Sequence, residues 1–348
     1  MDAPPGVLLV NLGSPEAPRP GEVRAYLREF LSDPRVLDMP AFPRWLLLNA
    51  VILPKRPAES AKAYASIWGQ AKRMNGSPLL EHSAALAEAV QKEVAPWPLR
   101  LAMRYGRPTI AQALGELQAE GCQEILVLPL YPQYASSSTG TAVQAVYEQA
   151  GKMWNTPFLN IVPPFFRHPA FIEACLQVAR PELQSFHPDF VVMSFHGLPE
   201  RHLSKGDPAK RCRFDQDCCA ELQAGNAHCY RAQCFETARL LASGLELPPD
   251  RWSVAFQSRL GRTPWIRPFF DQEIARLGNQ GIQKLAVLEP SFVADCLETL
   301  EEVGIRGAES FRQAGGKELR LIPSLNDHPS WVQAVKTLLQ ESAGHRHS

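Results

Sequence analysis

Short apolar runs recur along the chain and alternate with stretches whose apolar residues are spaced by three or four. Such runs predict buried β-strands, and the wider spacing predicts amphipathic helices. Strands are predicted at residues 6–12, 99–105, 124–131, 190–195, 252–258 and 284–290. Helices are predicted over 83–94, 109–120, 170–183 and 234–245. This alternation indicates βαβ units and a parallel sheet, so the fold class is α/β.

Several strand ends occur twice, in the same order. The matching segments are 7–16 with 190–200, 101–108 with 254–264, and 121–134 with 281–294. The shared order predicts two similar Rossmann-like, doubly wound domains, although parallel strands resemble one another in any protein. We place the first domain at 1–165 and the second at 166–325. The C-terminal helix, 328–343, is expected to pack back on the first domain.

The charge balance and the motifs that are missing from the sequence exclude several classes of function. The 348 residues carry 36 Lys and Arg against 36 Asp and Glu, a balance that argues against broad nucleic-acid binding. No strand is followed by a glycine-rich phosphate-binding motif, so a nucleotide cofactor is not expected. No signal-peptide pattern or apolar run of about 18 residues occurs, so we expect a cytoplasmic, reducing location.

Residues 45–53, "WLLLNAVIL", form a strongly apolar stretch flanked by Arg44, Lys55 and Arg56. Such a stretch is either a core helix or an exposed lip that contacts a membrane interface or a flat apolar substrate. The basic flanks are compatible with peripheral membrane association. The stretch is too short to span a bilayer.

His196 ends an apolar strand and opens the turn "HGLP". In an open α/β sheet, ligands bind beyond the C-terminal ends of the strands, so this residue is a candidate for the site. A neutral imidazole is able to accept a proton or to bind a metal. The structural alternative is a histidine that caps loop amides.

An acidic row follows the strand 284–290, in a stretch predicted to be helical from about Ala294. Its members are Asp295, Glu298, Glu301 and Glu302. On an α-helix this spacing places all of them on one face, where they relay protons or bind hard cations. The alternative is the ordinary preference for acidic residues near a helix N-terminus.

Several longer motifs of the chain resemble those of a known family. "NLGSPE", "LYPQYASSSTG", "SFHGLPERHLSKGDP", "AFQSRLGRTPWIRP" and "FVADCLETLEEVG" resemble ferrochelatases, which insert ferrous iron into a porphyrin. The match covers nearly the whole chain, and the form is similar to proteobacterial enzymes that make protohaem. The resemblance implies two chelatase-like domains with the active-site cleft between them.

The resemblance also implies roles for individual residues. His196 would bind the metal and accept protons, Glu298 across the cleft would also contact iron, and Asp295 would be its acidic neighbour on the proton or metal path. The substrate pocket would include Leu12, Tyr64, Arg104, Tyr105, Tyr131, Gln257, Ser258 and Trp265. Cys296 stands where some relatives carry histidine, and no role is assigned to it.

Cysteines are concentrated in an insertion at 209–234. Compared with most relatives, the additional ones are Cys212, Cys218, Cys219 and Cys229, whereas Cys234 belongs to the family pattern. In a reducing compartment, four thiolates suit a [2Fe–2S] cluster, which some ferrochelatases carry. Cys234 is an alternate ligand. Zinc bound by three cysteines and His228, or free thiols, are the other interpretations.

The predicted activity is the insertion of Fe²⁺ into protoporphyrin IX to make protohaem, the terminal step of haem biosynthesis. The alternatives are a coproporphyrin ferrochelatase, another metal–tetrapyrrole chelatase, or a non-catalytic porphyrin- or haem-binding protein. A protein that only binds porphyrin or haem has no need to remove protons from the ring. The histidine and the acidic row therefore favour an enzyme. The oligomeric state is not predicted.

Overall fold

The computed structural model describes residues 4–70, 76–215, 217–259, 261 and 263–344. Within them the chain forms two compact units. The first comprises the described parts of Met1–Tyr131, Ala135–Pro164 and Val332–Ser348. The second comprises the described parts of Pro132–Tyr134 and Phe165–Trp331.

The first unit is built on a parallel four-stranded sheet. Its strands are β1 (Gly6–Asn11), β2 (Leu99–Met103), β3 (Glu124–Pro129) and β4 (Phe158–Ile161), in the order β2-β1-β3-β4. Central β1 is buried along its whole length, as an apolar strand between two neighbours should be. The strand end that carries Asn11 pairs with Met103 of β2.

Helices cover this sheet. They are α1 (Pro20–Ser32), α2 (Ala41–Leu47), α3 (Leu53–Ile67), α4 (Pro78–Val94), α5 (Ile110–Ala119) and α6 (Thr141–Ala150), with α12 (Pro329–Gly344) at the C-terminus. Short π-helices lie at Leu48–Ile52 and Ser136–Gly140. Contacts of α12 include a 2.9 Å hydrogen bond from Asn160 Nδ2 to the Ser342 carbonyl oxygen and a 3.1 Å ion pair of Lys336 with Glu93.

The second unit repeats the arrangement. Its strands are β5 (Phe190–His196), β6 (Trp252–Gln257), β7 (Lys284–Leu288) and β8 (Glu318–Leu321), all parallel in the order β6-β5-β7-β8. Its helices are α7 (Pro169–Phe186), α8 (Glu200–Lys205), α9 (Tyr230–Gly244), α10 (Phe270–Asn279) and α11 (Ala308–Gln313), with a 3₁₀ turn at Asp217–Cys219 and a π-helix at Glu298–Gly307.

The two sheets have the same strand order, which confirms the predicted pair of similar parallel α/β domains. In both units a π-helix follows the third strand along the chain. The six predicted strands are present, with ends within two residues of the predicted ones. Strands β4 and β8 were not predicted, because they have four residues each and lack a fully buried apolar run. No described helix is long and apolar enough to cross a membrane.

Candidate active site

His196 is the last residue of β5, and its hydrogen bonds define the tautomer of the ring. Its main-chain N–H donates to the Ser291 hydroxyl over 3.3 Å, and its carbonyl accepts from Tyr230 Oη over 2.8 Å. Nδ1 lies 2.6 Å from the carbonyl oxygen of Gly197. Because a carbonyl only accepts, we infer that Nδ1 carries the proton of the neutral ring and that Nε2 keeps its lone pair. Nε2 is therefore the atom that accepts a proton or binds a metal.

The turn after His196 packs closely against the chain that carries Trp265. A Cβ atom on Gly197 would lie 2.7 Å from the carbonyl oxygen of Gln257 and 3.3 Å from the Trp265 ring, so glycine is required here. Pro199 and Trp265 form an antiparallel bridge. The structure therefore places the predicted pocket residue Trp265 beside the turn that follows the histidine.

Gln257 and Ser258 join the end of β6 to the acidic segment. Gln257 pairs with His196 across the sheet, and its Nε2 donates to the main-chain carbonyl of Glu298 over 3.3 Å. The Ser258 hydroxyl donates to Glu302 Oε2 over 2.5 Å. Both side chains, predicted to contact substrate, are thus engaged with the segment that holds the carboxylates.

Three members of the acidic row, Glu298, Glu301 and Glu302, lie on a π-helix and not on the predicted α-helix. Because a π-helix has i→i+5 hydrogen bonds and wider turns, residues four apart stay close while those three apart diverge. Glu298 and Glu302 interact electrostatically, and Arg306 pairs with Glu301 at 2.9 Å and with Glu302 at 3.4 Å. Asp295 precedes the helix. The prediction that all four acidic residues share one helical face is therefore wrong.

Glu302 is a carboxyl group that the sequence placed in the row without assigning it a role. Burial raises its pKa, and the neighbouring charge of Glu298 raises it further. The Ser258 hydroxyl, Arg306 and His196 act in the opposite direction. Glu302 therefore lies within electrostatic reach of both the histidine and Glu298.

Glu289 follows β7 and was missed by the sequence reasoning. It is 6% exposed, and neither carboxyl oxygen has a hydrogen-bond partner of good geometry. Burial raises its pKa well above the ordinary value, and the carboxyl groups of Asp295, Glu302 and Glu298 add to the rise against a weaker effect of the Gln257 amide. Burial and the neighbouring carboxylates therefore favour the protonated form of Glu289, next to the acidic row.

Asp295 anchors the turn before the π-helix. Its Oδ2 accepts from Asn326 Nδ2 over 2.8 Å, and its Oδ1 accepts from the Thr299 hydroxyl and the Ser324 amide, each over 3.2 Å. Its own amide donates to Asn326 Oδ1 over 2.8 Å. These bonds hold the start of the helix that carries Glu298, so Asp295 has a structural function besides its charge.

Cys296 lies against Glu298. Its thiol is buried and hydrogen-bonded to that carboxylate. Burial is the main cause of the raised pKa of this thiol, and the Glu298 charge raises it further. The thiol therefore stays protonated and serves as a donor to Glu298.

Arg104 directly follows β2 in the first unit and is held by Asp33. Its Nη2 donates to Asp33 Oδ2 over 2.7 Å, and its Nε donates to the Thr141 hydroxyl over 2.8 Å. Tyr105 Oη donates to the same aspartate oxygen over 2.9 Å. Burial acts to raise the pKa of Asp33, but the bonds from Thr141, the Arg35 amide and Tyr105, with the Arg104 charge, outweigh it and lower the pKa. A charged Asp33 therefore fixes the guanidinium.

The structure brings further predicted pocket residues close to Arg104. The Tyr131 hydroxyl is buried without a hydrogen-bond partner, and Tyr131 interacts electrostatically with Tyr105 and Arg104. The Leu12 carbonyl accepts from the Tyr105 amide over 2.9 Å. Tyr64 is buried in α3. Leu12, Arg104, Tyr105 and Tyr131 therefore form one group at the C-terminal ends of the strands.

The structure also gathers the four additional cysteines of the insertion. They form a run of sulfur contacts, which joins Cys212 to Cys218, Cys218 to Cys219, and Cys219 to Cys229. The Cys218 and Cys219 sulfurs are 3.8 Å apart. Cys234 lies within α9, where its thiol contacts the Tyr230 hydroxyl. In the described ranges, no three His, Cys, Asp or Glu side chains are arranged as the ligands of one metal ion.

Arg231 is a buried cation beside these sulfurs. It is 3% exposed, and its Nη1 donates to the Asp215 carbonyl over 3.0 Å and lies 4.0 Å from Cys218 Sγ. Its Nε donates to the Arg267 carbonyl over 3.1 Å, and its guanidinium stacks on Phe235. Among the described side chains, no carboxylate pairs with it. A buried cation normally has a charged partner, and here the Cys218 sulfur lies close enough to the guanidinium to balance its charge if the thiol ionises.

The thiols differ in acidity. The hydrogen bond from Cys219 is the main cause of the lowering of the Cys229 pKa to about 6, and Arg231 adds to it. That same bond, with burial, raises the pKa of Cys219. Burial raises the pKa of Cys212 to about 11. Within the Cys219–Cys229 pair, the hydrogen bond therefore favours ionisation of Cys229.

Solved chelatases share the fold described above. SirB from Bacillus subtilis with Fe³⁺ aligns with a TM-score of 0.56 over 99% of this chain and 98% of that one, at 14% identity. The sirohydrochlorin chelatase SirB from Bacillus subtilis subspecies spizizenii, in complex with cobalt, gives 0.56 over 98% and 96%, at 11% identity. At this identity the likeness defines the class of fold, which is that of the chelatases.

Sequence relatives specify the family within that class. The family model described as ferrochelatase matches residues 4–343. Ferrochelatases from Ectopseudomonas mendocina (strain ymp) and Azotobacter vinelandii (strain DJ / ATCC BAA-1303) are 46% and 47% identical, over 97% and 95% of this chain and 97% of each relative. That of Coxiella burnetii (strain CbuG_Q212) is 44% identical over 97% of this chain and 93% of its own length. The chain therefore belongs to the ferrochelatase family.

Family membership confirms the resemblance found in the motifs. The chain is a metal chelatase of the lyase class, acts in haem biosynthesis and takes ferrous iron and a porphyrin as substrates.

Proposed function

We propose that the porphyrin substrate is protoporphyrin IX and the product protohaem. The proposed catalytic role rests mainly on the geometry of His196. Its Nε2 keeps a lone pair, and the residue lies within electrostatic reach of Glu302, which in turn interacts with Glu298. The exposed apolar side chains of α2 and the adjoining π-helix favour the less charged protoporphyrin over coproporphyrin.

The proposed reaction exchanges two porphyrin protons for one ferrous ion. Nε2 of His196 accepts protons from the ring nitrogens, and Glu298 and Glu302 lead them away or contact the incoming Fe²⁺. Bending of the ring exposes the nitrogen lone pairs, at a strain of about 1–5 kcal/mol supplied by contacts elsewhere on the macrocycle. Asp295 contributes charge and holds the start of the helix.

The predicted pocket residues are proposed to hold the macrocycle. Arg104, fixed by Asp33, provides a positive charge, and Tyr131 provides a buried hydroxyl without a partner. The remaining proposed pocket residues are Leu12, Tyr64, Tyr105, Gln257, Ser258 and Trp265. We assign Gln257 and Ser258 the further task of positioning the π-helix, because their polar groups bond to it.

The substrate proposal is tested by anaerobic insertion of Fe²⁺ into protoporphyrin and coproporphyrin at equal concentration. We expect a kcat/KM for protoporphyrin at least tenfold higher. The reverse preference would assign coproporphyrin as the substrate. Tight porphyrin binding without insertion of iron or zinc would indicate a binding protein, and turnover with cobalt or nickel but not iron would indicate another chelatase.

We also propose that Cys212, Cys218, Cys219 and Cys229 hold a [2Fe–2S] cluster, with Cys234 as an alternate ligand. The donor set fits: the sulfurs are in contact, and buried Arg231 offers a charge that thiolates balance. The four cysteine side chains contact one another in succession and do not surround one point. Binding of a cluster therefore requires changes in their side-chain rotamers. When bound, such a cluster supplies one-electron redox chemistry or a cross-link of the insertion.

Absorption spectra and iron and labile-sulfide analyses of anaerobically purified protein test this proposal. We expect two iron and two sulfide per chain and visible absorption, all lost in Cys219→Ser and retained in Cys175→Ser, which lies outside the insertion. Zinc without sulfide would favour the zinc site that includes His228, an exposed residue. A colourless, metal-free protein would show free thiols.

We further propose that residues 45–53 and adjoining Phe42 touch a membrane interface from the cytoplasmic side. Phe42, Trp45, Leu46 and Val51 are 72%, 60%, 49% and 52% exposed, and the rings of Phe42 and Trp45 stack at 6.4 Å. Exposed aromatic and basic residues suit the headgroup region. Free cysteines throughout the chain agree with a reducing compartment.

Sedimentation with vesicles that contain phosphatidylglycerol tests membrane contact. We expect Trp45→Glu to reduce the bound fraction severalfold and Trp154→Glu, at a fully exposed tryptophan elsewhere, to leave it unchanged. Equal effects of the two substitutions would refute the proposed surface.

A further inference from the structure

The first turn of α9 connects the cysteine segment, residues 209–229, to the end of β5. Cys229 is the N-cap residue of α9, and Tyr230 is the first residue of the helix. Tyr230 is buried, and its hydroxyl donates to the His196 carbonyl over 2.8 Å. One peptide bond therefore separates a member of the sulfur run from a residue that touches the main chain of the histidine.

Two hydroxyl groups bond to the main chain of His196, one on each side of its Cα atom. Ser291 accepts from the amide, and Tyr230 donates to the carbonyl. The two hydroxyls also interact with each other. The imidazole is in turn oriented by the Gly197 carbonyl, one residue after the carbonyl that Tyr230 contacts. A shift of the Tyr230 hydroxyl therefore changes the direction in which Nε2 points.

Arg231 provides a second connection from the same helical turn. On one side its guanidinium contacts Cys218 and the Asp215 carbonyl in the cysteine segment. On the other side it donates to the carbonyl of Arg267, two residues after Trp265. Tyr230 and Arg231, consecutive residues of α9, thus link the cysteine segment to His196 and to the segment around Trp265, which packs against the turn after His196.

We propose that Tyr230 is a positioning residue for His196 and that it transmits changes in the cysteine segment to the imidazole. An effect on turnover requires the proposed catalytic role of His196. The connection from Cys229 through Tyr230 to His196 does not depend on which metal, if any, the cysteines bind. Any change that displaces Cys229 moves the start of α9 and with it the hydroxyl that holds the histidine carbonyl.

The transmission is tested by NMR of protein labelled with ¹³Cε1-histidine. The His196 signal is identified by its loss in His196→Gln, and spectra are compared for the parent, Cys219→Ser, Tyr230→Phe and the double variant. We expect Cys219→Ser to shift the His196 signal in the parent, and to shift it by less than half as much when Tyr230→Phe is present. No shift, or equal shifts in both backgrounds, would overturn the proposal.

Kinetics test the positioning role separately. With zinc and porphyrin at saturation, Tyr230→Phe should lower kcat by about 3- to 10-fold, the effect of one hydrogen bond, with KM within twofold. Tyr147→Phe, at a half-exposed tyrosine of α6, should leave both unchanged. Unchanged kcat in Tyr230→Phe with a lower melting temperature would reduce the hydroxyl to a stabilising contact and overturn the role.

The NMR assay is independent of the proposed reaction, whereas the kinetic assay depends on it, because kcat reports on His196 only if the histidine is catalytic. If the His196 signal responds as expected but His196 substitutions leave turnover intact, the transmission stands and the catalytic role fails. If Cys219→Ser does not fold, Cys212→Ser at the other end of the sulfur run replaces it, with the same criteria.

Discussion

Asp33 and Arg104 form a largely buried ion pair of 2.7 Å across 71 residues of sequence. The aspartate also accepts from Tyr105 and Thr141, so one carboxylate orders three groups at the ends of the strands. Since Arg104 is a proposed pocket residue, Asp33 acts on the substrate through it.

Asp33→Asn should weaken porphyrin binding while leaving the chemical step intact. A charge-assisted hydrogen bond contributes about 1.5–3 kcal/mol, so the KM for porphyrin should rise by about tenfold or more, with kcat within threefold. Steady-state kinetics measure the split. Glu22→Gln, which breaks the exposed pair with Arg19, is the control and should change neither constant. A lower kcat with unchanged KM would place Arg104 outside the porphyrin pocket.

Glu289→Gln should alter how stability depends on pH. Burial raises the pKa of Glu289 above the unfolded value of 4.5, so the folded protein keeps a proton that the unfolded chain releases. The contribution of this group to stability is most favourable below pH 4.5 and is lost as pH rises through the folded pKa. The variant should therefore gain stability relative to the parent between about pH 5 and pH 8.

Urea unfolding at the two pH values measures this gain. Glu59→Gln, at an exposed glutamate of α3, should differ from the parent by the same amount at both. A pH-independent difference for Glu289→Gln as well would show that Glu289 is ionised in the folded protein.

Glu298→Gln should slow turnover strongly, because the amide neither accepts a proton nor attracts Fe²⁺ as a carboxylate does. We expect kcat to fall by about 10²-fold, with porphyrin affinity little changed. Glu301→Gln is the matched control, since Glu301 lies on the same π-helix and has no proposed role in the reaction, although its partner Arg306 also contacts Glu302. A similar loss in both variants would attribute the effect to the helix and not to the carboxylate.

The parts of the fold that were predictable are those with a strong local signal. The central strands are buried apolar runs, and the repeated strand ends in the sequence indicated the two similar domains. Strands β4 and β8 have no such run, because they lie at sheet edges and are only partly buried. The π-helix was taken for an α-helix, because charge spacing does not report which hydrogen-bond register the backbone adopts.

The parts of the site that were missed depend on tertiary contacts. Asp33 lies in a turn far along the chain from Arg104, and nothing in its neighbourhood marks it. Glu289 resembles an ordinary residue after a strand, and only its burial beside Asp295 and Glu298 makes it unusual. The family motifs predicted roles for His196 and Glu298, but not for the hydroxyl of Tyr230, which bonds to the histidine main chain.

The most direct measurement of the central claim is the anaerobic rate of Fe²⁺ insertion into protoporphyrin by His196→Ala. Loss of a positioned proton acceptor predicts a fall of about 10²- to 10⁴-fold, with the melting temperature retained. His187→Ala, at an exposed histidine that caps α7, should insert iron at the parent rate. A His196→Ala protein that inserts iron at nearly the parent rate would contradict the account.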